Sequence, residues 1–162
     1  MSLIDKPDVN LDVTKDIDAD LVQYLTFMMA EEEYGIEILA VQEIRGWEPM
    51  TKIPNSADYV KGVINLRGTV VPVIDLRFRF QLPKVDYSDV TVVIIVKVLI
   101  AGNEKIMGVV VDAVSDVYNL DKVEVSKAPD IGEPANREFI EGLINVKEKM
   151  VLLLDLQKIL DI

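Results

Sequence analysis

The chain has 162 residues, of which 50% are hydrophobic, with 17 basic against 28 acidic side chains and a net charge of −11. This length predicts one domain or two very small ones; with no cysteine and no histidine, thiol and Ser-His nucleophiles, haem ligation and ordinary zinc sites are excluded. The acidic balance repels phosphate backbones and anionic lipid head groups, which argues against nucleic acid and against direct membrane insertion.

In chain order, residues 1–20 carry six Asp and two Lys, hold no helical or alternating period, and lack the basic start and apolar stretch of a signal peptide. They are expected to form a flexible acidic arm on a cytoplasmic protein. The spacing Asp16-Ile-Asp18-Ala-Asp20 imitates the start of a calcium loop, but Leu21 and Phe27 stand where that loop needs Gly and Glu, so no metal site is expected. From Leu21 onward short Val- and Ile-rich runs predict strands at Val22–Met29, Tyr34–Ile38, Val63–Leu66, Val70–Ile74, Val90–Ala101, Ile106–Val111 and Met150–Leu154. Glu31-Glu32-Glu33-Tyr34-Gly35 and Gly102-Asn103-Glu104-Lys105 read as solvated hairpin connections. Three short helices are predicted, at Leu39–Arg45, Asp75–Phe80 and Asp155–Leu160, the last two opening on an Asp suited to capping. The run Val90–Gly102 contains Lys97 and falls well short of the about 20 apolar residues of a membrane span.

An internal repeat organises these elements. Residues 59–76 lie over 139–156 at a constant offset of 80, with Gly62/Gly142, Ile64/Ile144, Asn65/Asn145, Val71/Val151, Asp75/Asp155 and Leu76/Leu156 identical. A weaker echo sets Tyr34–Val41 over Met107–Val114 at an offset of 73. Two copies of about five strands are too short for open sheets with protected edges, and closure removes unpaired edge groups. The expected fold is mainly β: two small five-stranded barrels packed as one body with short connecting helices. The first barrel is placed at about 21–82, the second at about 88–154, and a C-terminal helix at 155–162, with the division at Gln81–Ser88.

Residues retained in both copies are most simply required by the fold, which covers Gly62, Asn65 and the capping pair Asp75 and Asp155. The hairpin tips diverge: Leu66-Arg67-Gly68-Thr69 in one copy, Val146-Lys147-Glu148-Lys149 in the other. Arg67 is either a solvated turn charge or a guanidinium presented for bidentate contact with a partner. Trp47, the only tryptophan, either plugs a barrel end or anchors an interface. Val41 and Ile44, one helical turn apart, are expected to share a face. No phosphate loop or nucleophile elbow occurs, and no catalytic residue is assigned.

The strings Glu33-Tyr34-Gly35-Ile36, Val41-Gln42-Glu43-Ile44-Arg45-Gly46 and Gly62-Val63-Ile64-Asn65-Leu66-Arg67-Gly68, followed by Val71-Pro72-Val73-Ile74-Asp75-Leu76, closely resemble the CheW family of bacterial chemotaxis adaptors from about Leu21 to the end. The resemblance implies two SH3-like barrels, no catalytic activity and no cofactor. It implies two partners, the cytoplasmic domain of chemoreceptors (methyl-accepting chemotaxis proteins) and the regulatory domain of the histidine kinase CheA, hence recruitment to receptor arrays at the membrane. By motif it carries a receptor contact onto Val41, Gly62 and Arg67, and more weakly onto Val93; no residue is assigned to the kinase contact. The alternative is the same module within a CheA- or CheV-type signalling protein, which would need a nucleotide-binding or a receiver domain in addition.

Overall fold

The computed structural model describes residues 21–121, 125–126 and 137–161. Among them the chain forms β1 (Leu21–Met29), β2 (Glu32–Glu37), a 3-10 turn (Ile38–Ala40), β3 (Val41–Gly46), β4 (Val60–Leu66), β5 (Thr69–Asp75), α1 (Leu76–Arg79), β6 (Val92–Ile100), β7 (Asn103–Val111), β8 (Ala113–Asp121), β9 (Ile140–Val146), β10 (Lys149–Leu154) and α2 (Leu156–Leu160). The fold is mostly β, as expected. Two five-stranded sheets run β9-β10-β2-β1-β8 and β3-β6-β7-β5-β4. Each closes through a backbone bridge that returns one edge to the other: Thr51 to Val63 in the second sheet, Ser126 to Leu143 in the first. Closure leaves few unpaired edge groups for another chain to pair with.

The repeat is reproduced strand for strand. In β4–β5 the register steps at a bulge between Val60 and Gly62, and in β9–β10 between Ile140 and Gly142, every pair displaced by 80. The parallel contact Leu153 to Gly35 corresponds in the same way to Val73 to Gly108. Asp75 N–H donates to the Tyr59 carbonyl and Asp155 N–H to that of Phe139, both at 2.8 Å. The carboxylates of Asp75 and Asp155 accept from Arg77 N and Lys158 N and so cap the two helices.

The barrels do not divide at 81–88. That segment separates the two sequence copies, but each copy gives its first hairpin to the other copy's barrel: β1–β2 joins β8–β10, and β6–β7 joins β3–β5. The chain crosses between barrels at Ile38–Ala40 and at Asp112, equivalent points of the repeat. Equal hairpins offer equal backbone ladders, so position along the chain cannot say which partner a hairpin takes. The exchange ties the barrels into one body around a shared core that draws Leu25, Phe27 and Ile36 from one sheet and Ile74, Ile94 and Val96 from the other. Phe80 stacks on Phe139 at 5.4 Å, and Arg79 lies over the rings of Tyr59 and Phe139 while donating to the Ile159 carbonyl.

Three local expectations are corrected. Leu39–Arg45 is not a helix but the 3-10 turn and strand β3, because a seven-residue run fits both periods and pairing with β6 supplies hydrogen bonds that a two-turn helix lacks. Val41 and Ile44 still share a face, since the bulge between Val41 and Glu43 brings both opposite the same side of β6, Val96 and Ile94. Strands β8 and β9 were absent from the expected set; β8 carries polar residues on its exposed face and lacks a strong Val/Ile run. The Glu triplet is only partly a solvated turn: the turn is Ala30–Glu31, and Glu33 lies within β2 at 8% exposure. The acidic arm lies outside the described residues.

All four tight hairpins carry positive φ at both central residues, the pattern of type I′ turns. Each of these turns holds at least one non-glycine residue in that region, and two hold no glycine; one of these, the β9–β10 tip, has Lys147 at φ 50° and Glu148 at 69°, where the other copy has Arg67 and Gly68. Glu148→Gly is therefore expected to stabilise the chain by about 1 kcal/mol, a rise of roughly 2–4 °C in Tm, read by thermal melting.

Candidate functional site

The sequence singled out Val41, Gly62, Arg67 and Val93, and the fold separates their tasks. Arg67 sits at the tip of β4–β5, where the Asn65 side chain accepts from Gly68 N–H at 2.8 Å and fixes the turn. Its side chain is 77% exposed and reaches across the barrel seam to β3, the opposite edge of the sheet order, where Nη2 donates to Glu43 Oε1 at 3.0 Å. Arg45, on the same face of β3, donates to the other carboxylate oxygen, also at 3.0 Å. The Arg67 hydrogen bond is the main reason the Glu43 carboxyl is held below the usual carboxylate range, with Arg45 assisting against partial burial.

Copy two lacks this network. Lys147, in the place of Arg67, lies 5.9 Å from the Tyr118 ring, and Tyr118 and Asp116 occupy the places of Arg45 and Glu43. Asp116 instead accepts from Val117 N–H through its own side chain. The barrel of copy two's tip closes through its own bridge without such a row, so closure of this kind does not itself call for one.

Val93 is 3% exposed and packs with Val71, Val73, Ile95 and Val110 inside the second barrel, directly across from Arg45. It supports the wall that carries Arg45 and, with Arg45 and Gly46, lines a small pocket there. Gly62 is buried at the bulge with φ 148°, and a Cβ there would overlap the Thr51 carbonyl, so its task is to let the seam close. Val41 lies apart, at the start of β3 against the core shared by the barrels. Trp47 packs on the barrel end: its ring stacks on that of Tyr87 at 3.9 Å and its backbone N–H donates to the Thr91 carbonyl. Tyr87 in turn donates to Asp75 at 2.6 Å, and burial, then that bond, pushes its hydroxyl pKa up.

Sequence reasoning missed Glu43 and Arg45, whose alternation with Gln42 and Ile44 is the strand signal that the helical reading of this run concealed. It also missed Leu39, 91% exposed on the 3-10 turn, and Leu99, 54% exposed on β6, which flank a groove of about 410 Å³ between the barrels. Among the described residues no group of three or more His, Cys, Asp or Glu side chains is placed to hold a metal ion, and no helix is long and apolar enough to cross a membrane.

Residues 23–162 match the CheW-like domain family. The chain belongs to that family. It is 43% identical over 138 residues to the chemotaxis protein CheW of Klebsiella aerogenes, covering 85% of this chain and 81% of that one. It is 35% identical over 135 residues to a probable chemotaxis protein CheW of Rhizobium etli, covering 83% and 84%. In three dimensions it is similar to the scaffolding protein TtCheW of Thermoanaerobacter tengcongensis, with a TM-score of 0.76 and 33% identity, covering 87% of this chain and 93% of that one. The CheW-like family comprises chemotaxis scaffold proteins, and the paired SH3-like barrels described above are its fold.

Proposed function

We propose that this chain is a non-catalytic chemotaxis scaffold that couples the cytoplasmic tips of chemoreceptors to the histidine kinase CheA, and that it works in the cytoplasm, recruited to receptor arrays through these partners. The observation that carries the reading is the Arg67–Glu43–Arg45 row, present at the seam of one barrel and dispensable for closing the other. Guanidinium groups held by one carboxylate retain free N–H donors, which suits them to carboxylate and amide acceptors on a receptor helix.

The test compares Arg67→Glu with Lys147→Glu, the matching tip of copy two, in binding to a receptor cytoplasmic fragment and, separately, to CheA, with thermal melting as the control. Receptor affinity is expected to fall about 10-fold or more for Arg67→Glu, through lost charge-assisted bonds and added repulsion against acidic groups of the receptor helix, and to stay near the parent for Lys147→Glu. Both variants are expected to melt near the parent, since exposed tip charges contribute little to stability. Equal receptor affinity in all three proteins would reduce Arg67 to a turn charge and remove the basis of the proposal.

A further inference from the structure

A carboxylate taken out of water ordinarily meets a donor or a cation. Glu33 meets neither: it is 8% exposed within β2, and among the described residues no hydrogen bond or ion pair reaches its side chain. In register it lies between Met28 of β1 and Val151 of β10. Gly35, two residues on and so on the same face, looks onto Val151 and Leu153 in the inner packing of the first barrel. Glu33 therefore stands at the mouth of that barrel, beside the turn at Ala30–Glu31. Two lysines of the neighbouring hairpin come near without pairing with it. Lys147 lies 5.9 Å from the Tyr118 ring, and Lys149 is exposed at the rim. Burial, then the charges of Glu33 and Asp116, pushes the Tyr118 hydroxyl up, so the Glu33 charge is felt at this ring.

The other barrel fills the same place differently. The offset of 73 carries Glu33 onto Ile106, which packs against the inner cluster of the second barrel and pairs with Lys97 as Glu33 pairs with Met28. Such a barrel does not itself call for a carboxylate there. Beyond that pair, β6–β7 continues through Val98–Lys105, Leu99–Glu104 and Ile100–Asn103, whereas β1–β2 continues only through Met29–Glu32. The shorter hairpin leaves a hollow of about 320 Å³, lined by Met28, Glu31, Glu32, Glu33, Lys149 and Met150.

Three glutamates against one lysine give this lining a formal charge of −2. Among the described residues no three acidic side chains are placed to share one metal ion, so a cation that meets Glu33 inside and Glu31 or Glu32 at the rim must be an extended one. Met28 and the 57% exposed Met150 offer soft apolar surface in the same lining, suited to a methylene chain. We propose that the mouth of the first barrel binds a linear aliphatic diamine, with one ammonium on Glu33, the methylenes against Met28 and Met150, and the second ammonium at Glu31 and Glu32. The site lies in the other barrel from the Arg67 row and does not depend on the receptor and kinase reading.

The full chain is titrated with tetramethylenediamine at constant ionic strength, with calorimetry reading affinity and backbone amide shifts reading place. Shifts are expected at Met28, Glu31, Glu33 and Met150, and Tm is expected to rise with diamine concentration, as for any ligand of the folded state alone. Butylamine and a blocked peptide with a single lysine each carry one ammonium and are expected to bind about 10-fold or more weakly. Glu33→Gln is expected to lower diamine affinity about 10-fold or more and to melt at or above the parent, because a buried charge without a partner is removed. Glu104→Gln removes the same charge from the exposed end of β6–β7 and is expected to bind as the parent does, which separates the site from general attraction to an acidic chain. Should Glu33→Gln fail to fold, Glu31→Gln/Glu32→Gln takes its place, with diamine affinity expected to fall to that of butylamine. Equal affinity in Glu33→Gln and Glu104→Gln, shifts spread over the acidic surface, or the same shifts produced by magnesium ion would each overturn the proposal. A lysine peptide bound as tightly as the diamine would overturn it in favour of a protein partner.

Discussion

Gly62→Ala is expected to destabilise the chain by about 3 kcal/mol or more, a large share of the about 5–15 kcal/mol that holds a domain of this size. Two independent causes add. The backbone at Gly62 has φ 148°, a region that side chains rarely adopt, and the new Cβ would overlap the Thr51 carbonyl, part of the bridge that returns the second barrel to its first edge. Carbonyl and Cβ both belong to the backbone framework, so neither can rotate away. At the equivalent Gly142 the φ is ordinary, and the Cβ would meet Val125 Cγ1 at 2.7 Å and the Ser126 carbonyl at 3.0 Å; the valine tip can turn aside. Gly142→Ala is therefore expected to cost less, about 1–2 kcal/mol. Urea unfolding followed by fluorescence of Trp47, stacked on Tyr87 at the end of the barrel that holds Gly62, reads both. Receptor binding lost by a Gly62→Ala protein that melts like the parent would contradict this and make the glycine a contact.

Arg77→Met is expected to cost about 3 kcal/mol, because it leaves the Asp112 carboxylate half-buried with only the Ala30 N–H. The Arg77 side chain is 12% exposed, so water does little to screen the loss. The pair also fixes a pH dependence. Burial alone pushes the Asp112 carboxyl up, but hydrogen bonds from Arg77 and Ala30 and the nearby positive charge outweigh it, and the pKa lies below the ordinary 3.8. A carboxyl lowered by folding stabilises the folded state above its unfolded value and loses that contribution as pH falls through its folded value. The urea midpoint is expected to decline as pH falls below about 4, and Asp112→Asn to remove that part of the decline while lowering stability at pH 7. A pH profile identical in parent and Asp112→Asn would show that the junction is held by apolar contacts alone.

Much of the candidate site was written in local residues and still only half legible. Arg67 was visible because Gly68 beside it marks a turn and because copy two differs there. Glu43, which holds it, was not, since its run reads as helix or strand until β6 pairs with it. Leu39 gave no sign of exposure, because an apolar residue in an apolar stretch is ordinarily buried and only the crossover geometry turns it outward.

The sequence by itself determined the β-rich class, the Asp caps on α1 and α2, and a duplication at an offset of 80 that carries Gly62 onto Gly142. These are short-range consequences of side-chain period, backbone φ preference and capping chemistry, each acting within a few residues. Only the tertiary structure decided that each copy lends its first hairpin to the other, that Glu33 and Val93 are buried, and that one barrel junction is sealed by Arg77 and Asp112 while its twin stands open at Leu39 and Leu99. The physical reason is that backbone ladders accept any hairpin of suitable register. Which hairpin pairs, and which surface is left uncovered, is settled by packing in the shared core between residues far apart in the chain.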